Sequence, residues 1–555
     1  MSAENPACTF AGKVWLEAAP QSRWGRVVLI AALLTGIGLR LARFLENRPL
    51  WTDEAKLALN IGRRDFVGLL QPLDYNQLAP VLYLWLLKAG TYLLGMHEWV
   101  LRLPSLVAGV LMILVVWLLG RRVLSEVGAL VAVVLTATAP LLVAYAAEAK
   151  PYEIDACVTA ILLLFALRVH EHDDTRRRLT LGLVGIAGIG FSVPALFVLG
   201  AITGALLLSS WHRRSGKAAI TTFIWGVIWL CAFLLQRYLT YSDAGTADIM
   251  QSFWHGVMIR VGEPGWITRS LVSIYSGILV AMDPDRRVLR LFAPVAAGIG
   301  AIVIWKRSSS IPALMLVLSF CLALLASAIA IWPVDGRLAL FLTPIAFLLL
   351  GAFADLLWNA STYRTAIRSA VVICGILGAA FNISRSSPFP PLEASRDLIA
   401  TLSSQRAMAP VYVFPAGVPT WVFYTTDWHH PDLERLDWYA RIEPHRNAAS
   451  RKGPVMETEP AFEWHSLEGL ELVGRFTGMQ FVMERGWLTL GPDPNWGNAE
   501  MRRLAVTGSH VTWVYGSHLP DTQVDSLRAG LQRNGGEIVT EKHGDFAVLW
   551  QVRFR

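Results

Sequence analysis

Apolar residues fall in blocks of roughly 16–22 between Val27 and Phe381, and beyond that point the blocks stop. An α-helix rises about 1.5 Å per residue, so ~20 apolar residues match a hydrocarbon layer about 30 Å thick. The stretch from Val27 to Phe381 therefore reads as a helical bundle in lipid. Residues 382–555 read as a water-soluble domain. Composition agrees: 54% of the 555 residues are hydrophobic and only 16% are charged, where a soluble chain carries about a quarter charged residues.

The first apolar block is long, lacks a small-residue cleavage site and runs into further blocks, so it reads as a span and not as a cleavable signal. The net charge of +7 comes from basic residues in short loops, which is a topology pattern and not a nucleic-acid footprint. Of the five cysteines, Cys157, Cys231, Cys321 and Cys374 lie in apolar blocks and Cys8 in the N-terminal tail. The soluble domain has none, and no metal-ligand spacing occurs.

Cytoplasmic loops gather Lys and Arg. Placing Lys13/Arg23/Arg26, Arg121/Arg122, Arg176–Arg178, Arg213/Arg214/Lys217, Lys306/Arg307 and Arg364/Arg368 inside gives about eleven spans with no parity error. These are 27–45, 100–120, 124–143, 154–169, 179–191, 194–209, 219–238, 289–305, 312–331, 338–358 and 370–381. The segments 46–99 and 240–288 and the whole tail then lie outside. On this reading Pro80–Leu94 does not cross. It lies in the interface as an amphipathic helix, with Tyr83, Trp85 and Tyr92 as anchors.

In the tail, Val411–Phe414, Val511–Tyr515 and Phe546–Val552 read as strands. Gln523–Gln532 reads as an amphipathic helix stopped by Asn534-Gly535. An α/β domain follows. Its eight tryptophans (Trp421, Trp428, Trp438, Trp464, Trp487, Trp496, Trp513, Trp550) read mostly as core, with sugar stacking as the alternative.

Three polar clusters sit at the expected outer mouths. Trp51-Thr52-Asp53-Glu54 puts two carboxylates just after the first span. A partly desolvated carboxylate there has its pKa raised toward the work of a general base. The plainer reading is a helix start, with Thr52 as N-cap and acids in the first turn. Glu148-Ala149-Lys150-Pro151-Tyr152-Glu153, with Asp155 beyond, lies between the third and fourth spans. Ionisable groups so close to lipid are costly and usually functional; the alternative is a loop whose Lys and Glu pair with each other. Pro151 suits a helix N-terminus, which would aim N–H groups, Glu148 and Lys150 at one place. Trp332-Pro333-Val334-Asp335-Gly336-Arg337 supplies a guanidinium fit for a lipid phosphate. Arg286, Arg287 and Arg290 add to that field, or snorkel to headgroups.

Four of these stretches together resemble the GT-C glycosyltransferases. Asp53-Glu54 is similar to the family's first-loop acidic motif. Ala79-Pro80-Val81-Leu82-Tyr83, Gly95-Met96-His97-Glu98 and Leu101-Arg102-Leu103-Pro104-Ser105 resemble P-P-L-Y, G-x-x-E and L-R-L-P-S. Tyr145 to Tyr152 resembles Y-x-x-E-A-R-P-Y, with Lys150 at the Arg position, so the bidentate fork is lost. Arg337 with Pro344 resembles R-Y-L-x-x-L-x-P, with Leu338 for the Tyr. The resemblance covers about residues 27–380 and is strongest to bacterial dolichyl-phosphate-mannose-type and galacturonate-transferase families.

The resemblance implies a polytopic α-helical membrane protein: residues 1–381 a GT-C-like transmembrane catalytic domain, residues 382–555 an extracytoplasmic (periplasmic) α/β domain. It implies an inverting transferase in the cell inner membrane. Such an enzyme takes sugar from a polyprenyl-phosphate donor in the membrane lipid to an envelope glycan, lipid or protein, with no nucleic acid as partner. Asp53 would be the catalytic base with Glu54 beside it. Gln77, Tyr83, Glu148, Lys150, Tyr152 and Arg337 would bind substrate, Arg337 stabilising the departing phosphate. Asp53, Glu54, Glu148 and Asp155 could converge on Mg²⁺ or Mn²⁺, though no spacing requires a metal. Two other classes stay open: a flippase of lipid-linked glycans, against which the placing of ionisable groups at the mouths argues, and a non-catalytic assembly subunit.

Overall fold

The computed structural model describes residues 20–240, 254–279, 281–282, 287–307, 310–360, 363–386, 393–404, 411–413, 417–433, 436, 474–476, 479–482, 513–518, 521–544 and 546–554. Cys8, Arg286, Trp438, Trp464, Trp487 and Trp496 lie outside the described residues, as do the side chains of Arg287 and Arg290. The chain forms two compact units: 1–46, 78–86 and 102–389 make the first, and 47–77, 87–101 and 390–555 the second.

The first unit is helical. All eleven apolar blocks fall on helices. Among the described residues, seven helices are long and apolar enough to cross a membrane: Arg23–Leu45, Glu98–Val123, Ala195–His212, Gly216–Thr240, Ser310–Ala328, Gly336–Trp358 and Arg364–Arg385. Helices suit lipid because each pairs its own backbone groups, which the hydrocarbon layer cannot do for it. The molecule is a multi-pass membrane protein.

The block 124–143 differs from the expected single span. It breaks into helices Glu126–Thr138 and Pro140–Tyr145. Pro140 has no N–H to donate, and it drives Ala139 out of the helical region to ψ 119°. Helix ends are closed by side chains from elsewhere. The Asp355 carboxylate accepts the backbone N–H groups of Ser125 (2.7 Å) and Gly128 (2.6 Å) at the start of Glu126–Thr138. Glycines let helices touch: a Cβ at Gly351 would stand 2.4 Å from the carbonyl oxygen of Gly128, so these two helices meet backbone to backbone.

Val81–Leu94 is a 14-residue helix. At about 1.5 Å per residue it reaches about 21 Å, short of a ~30 Å hydrocarbon layer. Tyr92 is largely exposed, in keeping with an interfacial anchor. Tyr83 differs: its ring is fully buried, with Leu84 and Leu87 beside it in sequence.

The second unit carries a six-stranded mixed sheet in the order β2-β3-β1-β4-β6-β5. The strands are β1 Val411–Val413, β2 Gly474–Phe476, β3 Met479–Val482, β4 Trp513–Ser517, β5 Gly536–Gly544 and β6 Ala547–Phe554. β1 lies parallel to both β3 and β4, and the other pairs are antiparallel. Helix Asp521–Arg533 supplies Val524, Leu527 and Leu531, at helical spacing, to a core with Val514, Val548, Trp550 and Val552. The β6 members are two apart, as one face of a strand requires. Gly535 at φ +78° ends the helix in the left-handed conformation that glycine adopts freely. Trp421, Trp513 and Trp550 are buried, so these three are core residues.

Candidate functional site

The first unit gathers the second and third polar clusters. Residues 146–151 form the turn between helices Pro140–Tyr145 and Tyr152–Glu171. Glu148 and Lys150 are buried within it. One face of helix Glu98–Val123 seats this turn through two residues four apart. Ser105 Oγ donates to the Lys150 carbonyl at 3.1 Å. Gly109 leaves room for Ala146, whose Cβ would lie 3.0 Å from a Cβ built at Gly109. Pro151 stands at the N-cap of the next helix, as its fixed φ favours.

Tyr152 links the two clusters. Its ring meets Tyr145 edge to face, with centroids 5.3 Å apart. The guanidinium of Arg337 lies over the same ring at 5.4 Å. Arg337 is delivered by Gly336–Leu342, a 3₁₀ segment entered through Asp335. Asp335 is held in turn, accepting from Ser276 Oγ at 2.7 Å. Of the residues assigned to substrate binding from sequence, the structure thus brings Tyr152 and Arg337 together and places Glu148 and Lys150 in the adjoining turn.

Beneath the turn is an ion pair that sequence reasoning did not assign. Arg40 and Glu153 are both fully buried, 3.6 Å apart. Arg40 also donates to the carbonyls of Thr136 (3.0 Å) and Ala137 (3.1 Å) at the end of helix Glu126–Thr138. An arginine inside an apolar span was the visible signal. Glu153 follows Tyr152 directly, so the pair fixes the first turn of the helix that presents the tyrosine.

Asp53, Glu54 and Gln77 belong to the second unit. Helix Thr52–Arg63 begins one residue after its N-cap, Trp51, and not after Thr52 as expected. Glu54 is buried and accepts the Trp51 backbone N–H at 3.4 Å. Asp53, beside it in the first turn, is only half-buried. The loop after this helix is strapped down. Asp74 takes the guanidinium of Arg64 at 2.9 Å and also pairs with Arg63, while Asn60 bonds both the N–H and C=O of Asp74. Tyr75 and Asn76 are then held at φ +62° and +54°, a conformation that costs a non-glycine residue of order 1–3 kcal/mol. Gln77 follows, buried, its amide donating to the Tyr75 carbonyl at 3.3 Å.

Among the described residues, no three His, Cys, Asp or Glu side chains group to hold a metal ion.

Residues 79–236 match the family profile of dolichyl-phosphate-mannose-protein mannosyltransferases, a span of less than a third of the chain. No curated protein sequence matches significantly. Among solved structures, the chain is similar to the oligosaccharyltransferase of Archaeoglobus fulgidus in complex with zinc and sulfate. That match has 15% identity and a TM-score of 0.50, over 88% of this chain and 68% of that one. ArnT from Cupriavidus metallidurans bound to undecaprenyl phosphate matches at 15% identity and a TM-score of 0.49, over 96% and 98%. Against the Archaeoglobus fulgidus enzyme tethered to an acceptor peptide the figures are 14%, 0.46, 72% and 63%, so the chain spans less than two thirds of that protein.

The likeness to the Archaeoglobus fulgidus oligosaccharyltransferase in complex with zinc and sulfate is one of fold. In sequence, the stretch 79–236 is similar to the dolichyl-phosphate-mannose-protein mannosyltransferase profile.

Proposed function

We propose that the chain is an inverting glycosyltransferase of a bacterial-type inner membrane. It moves a sugar from a polyprenyl-phosphate donor to an envelope glycan, lipid or protein on the outer face. The observation that carries this reading is the Arg337 guanidinium set on the Tyr152 ring, next to a buried turn holding Glu148 and Lys150. Two cations and an oriented aromatic suit a lipid phosphate that gains negative charge as it leaves.

In this reading Asp53 takes the proton of the acceptor hydroxyl. The freed oxygen attacks the anomeric carbon as the bond to the phosphate oxygen breaks, so the configuration inverts. The bond electrons leave on the phosphate, which Arg337 and Lys150 neutralise. Asp53 is favoured over Glu54 because Glu54 is buried against the backbone of its own helix start, whereas Asp53 keeps exposed surface. Gln77, Tyr83, Glu148 and Tyr152 are assigned to substrate binding. The orientation rests on the loop charges.

The test is Asp53→Asn in purified full-length protein with polyprenyl-phosphate sugars. It should melt as the wild type does and transfer no sugar. Wild-type turnover by the variant removes Asp53 from the base role. Mass spectrometry of lipid-linked sugars and envelope glycans from a deletion strain identifies donor and acceptor; an unchanged profile argues against the transferase reading itself.

A further inference from the structure

Within the second unit, the extended segment that leads into helix Thr52–Arg63 is bonded by side chains from far along the chain. Glu393 is fully buried. Its carboxylate accepts both the backbone N–H and the hydroxyl of Thr52, each at 3.1 Å. The same carboxylate accepts from Ser517 Oγ at 2.6 Å and meets His518 Nδ1 at 2.9 Å. Ser517 and His518 sit at the end of β4, and His518 is held at φ +61°. Two residues earlier, the Leu50 N–H donates to Tyr424 Oη at 2.6 Å. At Asn47 the carbonyl accepts from Arg396 at 3.0 Å.

A helix N-terminus leaves N–H groups without intrahelical partners, and a carboxylate is the best acceptor for them. Here the acceptor comes from 341 residues away. Glu54 serves the Trp51 N–H from within the helix, and the distant carboxylate serves the next one, that of Thr52. What the distant carboxylate adds is a fixed link between the residue preceding Asp53 and the sheet.

We infer that Glu393 is a positioning residue for Asp53: through Thr52 it fixes the first turn of the helix carrying the proposed base, and this is a task of the C-terminal domain. The inference rests on the reading of Asp53 as base. A carboxylate misplaced by about 1 Å can lose on the order of 100-fold in rate, so a buried bond to the adjacent residue is a direct means of control.

Hydrogen–deuterium exchange of the full-length protein in lipid nanodiscs tests the link without any substrate. Glu393→Ala should speed exchange of the amides of residues 50–55 by roughly ten-fold or more, leaving helix Tyr152–Glu171 protected as before. Glu393→Gln, which keeps an acceptor oxygen, should fall between. Ser517→Ala should shift the same amides and keeps the test open if Glu393→Ala does not fold. Unchanged exchange at 50–55 in all three overturns the inference. In transfer assays, Glu393→Gln should lower kcat roughly 10- to 100-fold with donor KM unchanged. A KM effect alone would also overturn it. If Asp53→Asn remains active while the exchange results hold, the base assignment fails and the link stands.

Discussion

The Arg337 guanidinium rests 5.4 Å from the centre of the Tyr152 ring, although the two residues are 185 positions apart. A cation over an aromatic face is worth about 0.5–1 kcal/mol at an exposed site and about 2 when desolvated. Tyr152→Phe should therefore leave polyprenyl-phosphate binding within about two-fold, since the face is retained. Tyr152→Leu should weaken it roughly 3- to 10-fold by letting the guanidinium wander. Arg337→Ala should cost roughly 10- to 100-fold, the range for charge-assisted hydrogen bonds to phosphate. Titration of the lipid phosphate against each variant measures this order; equal loss in the Phe and Leu variants would show that the hydroxyl matters and not the ring face.

Asp53 and Glu54 are adjacent but should fail in different ways. Glu54 accepts the Trp51 N–H and is buried, so Glu54→Ala removes a helix-start bond worth about 1 kcal/mol. It should lower the thermal midpoint and retain transfer. Asp53→Asn should do the reverse. The two midpoints and two turnover numbers form the measurement, and the assignment fails if Glu54→Ala is the inactive variant with a normal melt.

What the chain showed in advance divides along physical lines. Helix positions in the first unit were readable because lipid imposes a common length and polarity on the helices that cross it. The tail strands β1, β4 and β6 and the helix ending at Asn534-Gly535 were readable because period and stop signals are local. The break at Ala139–Pro140 was also a local signal, outweighed by the apolar run around it. Arg337 and Tyr152 were each legible as unusual residues at a mouth, yet their contact was not, because no periodicity spans 185 positions. Glu393, Ser517 and His518 gave no signal at all: a Glu in a polar tail looks like any solvated residue until the fold buries it.

Gly109 sits where two charges and a turn converge. A Cβ there would stand 2.8 Å from Glu153 Oε1, 2.9 Å from Arg40 Nε and 3.0 Å from Ala146 Cβ. In an open helix Gly→Ala stabilises by about 0.5–1 kcal/mol. Here both side-chain ends are fully buried and paired, with no space to swing into, so overpacking at about 1–3 kcal/mol should win. Gly109→Ala should lower the thermal midpoint, and so should Glu153→Ala, by more, because an unpaired buried Arg40 costs about 3–5 kcal/mol. Combined, the two should be less damaging than their sum, since the missing carboxylate makes room for the methyl. A fully additive double variant would place the strain at Arg40 or Ala146 instead.

The last prediction concerns acid. Arg528 donates two hydrogen bonds to Glu541, one at 2.8 Å, and Trp550 Nε1 adds a third at 3.0 Å. The guanidinium's bonds hold the Glu541 carboxyl below the usual carboxylate range. A depressed folded-state pKa means that the stabilisation is complete above the unfolded value, about 4.3, and is lost as pH falls through the folded one. The pair is partly exposed, so the contribution is modest and screened by salt. His543 Nε2 lies 3.1 Å from the same carboxylate. Exchange of the β5–β6 amides in the full-length protein should therefore hold steady from pH 7 to about 5, after correction for the intrinsic rate, and rise below about 4. Glu541→Gln should remove most of that rise while raising exchange slightly at pH 7. If the variant keeps the same acid-dependent rise, another carboxylate controls the acid limb of this sheet.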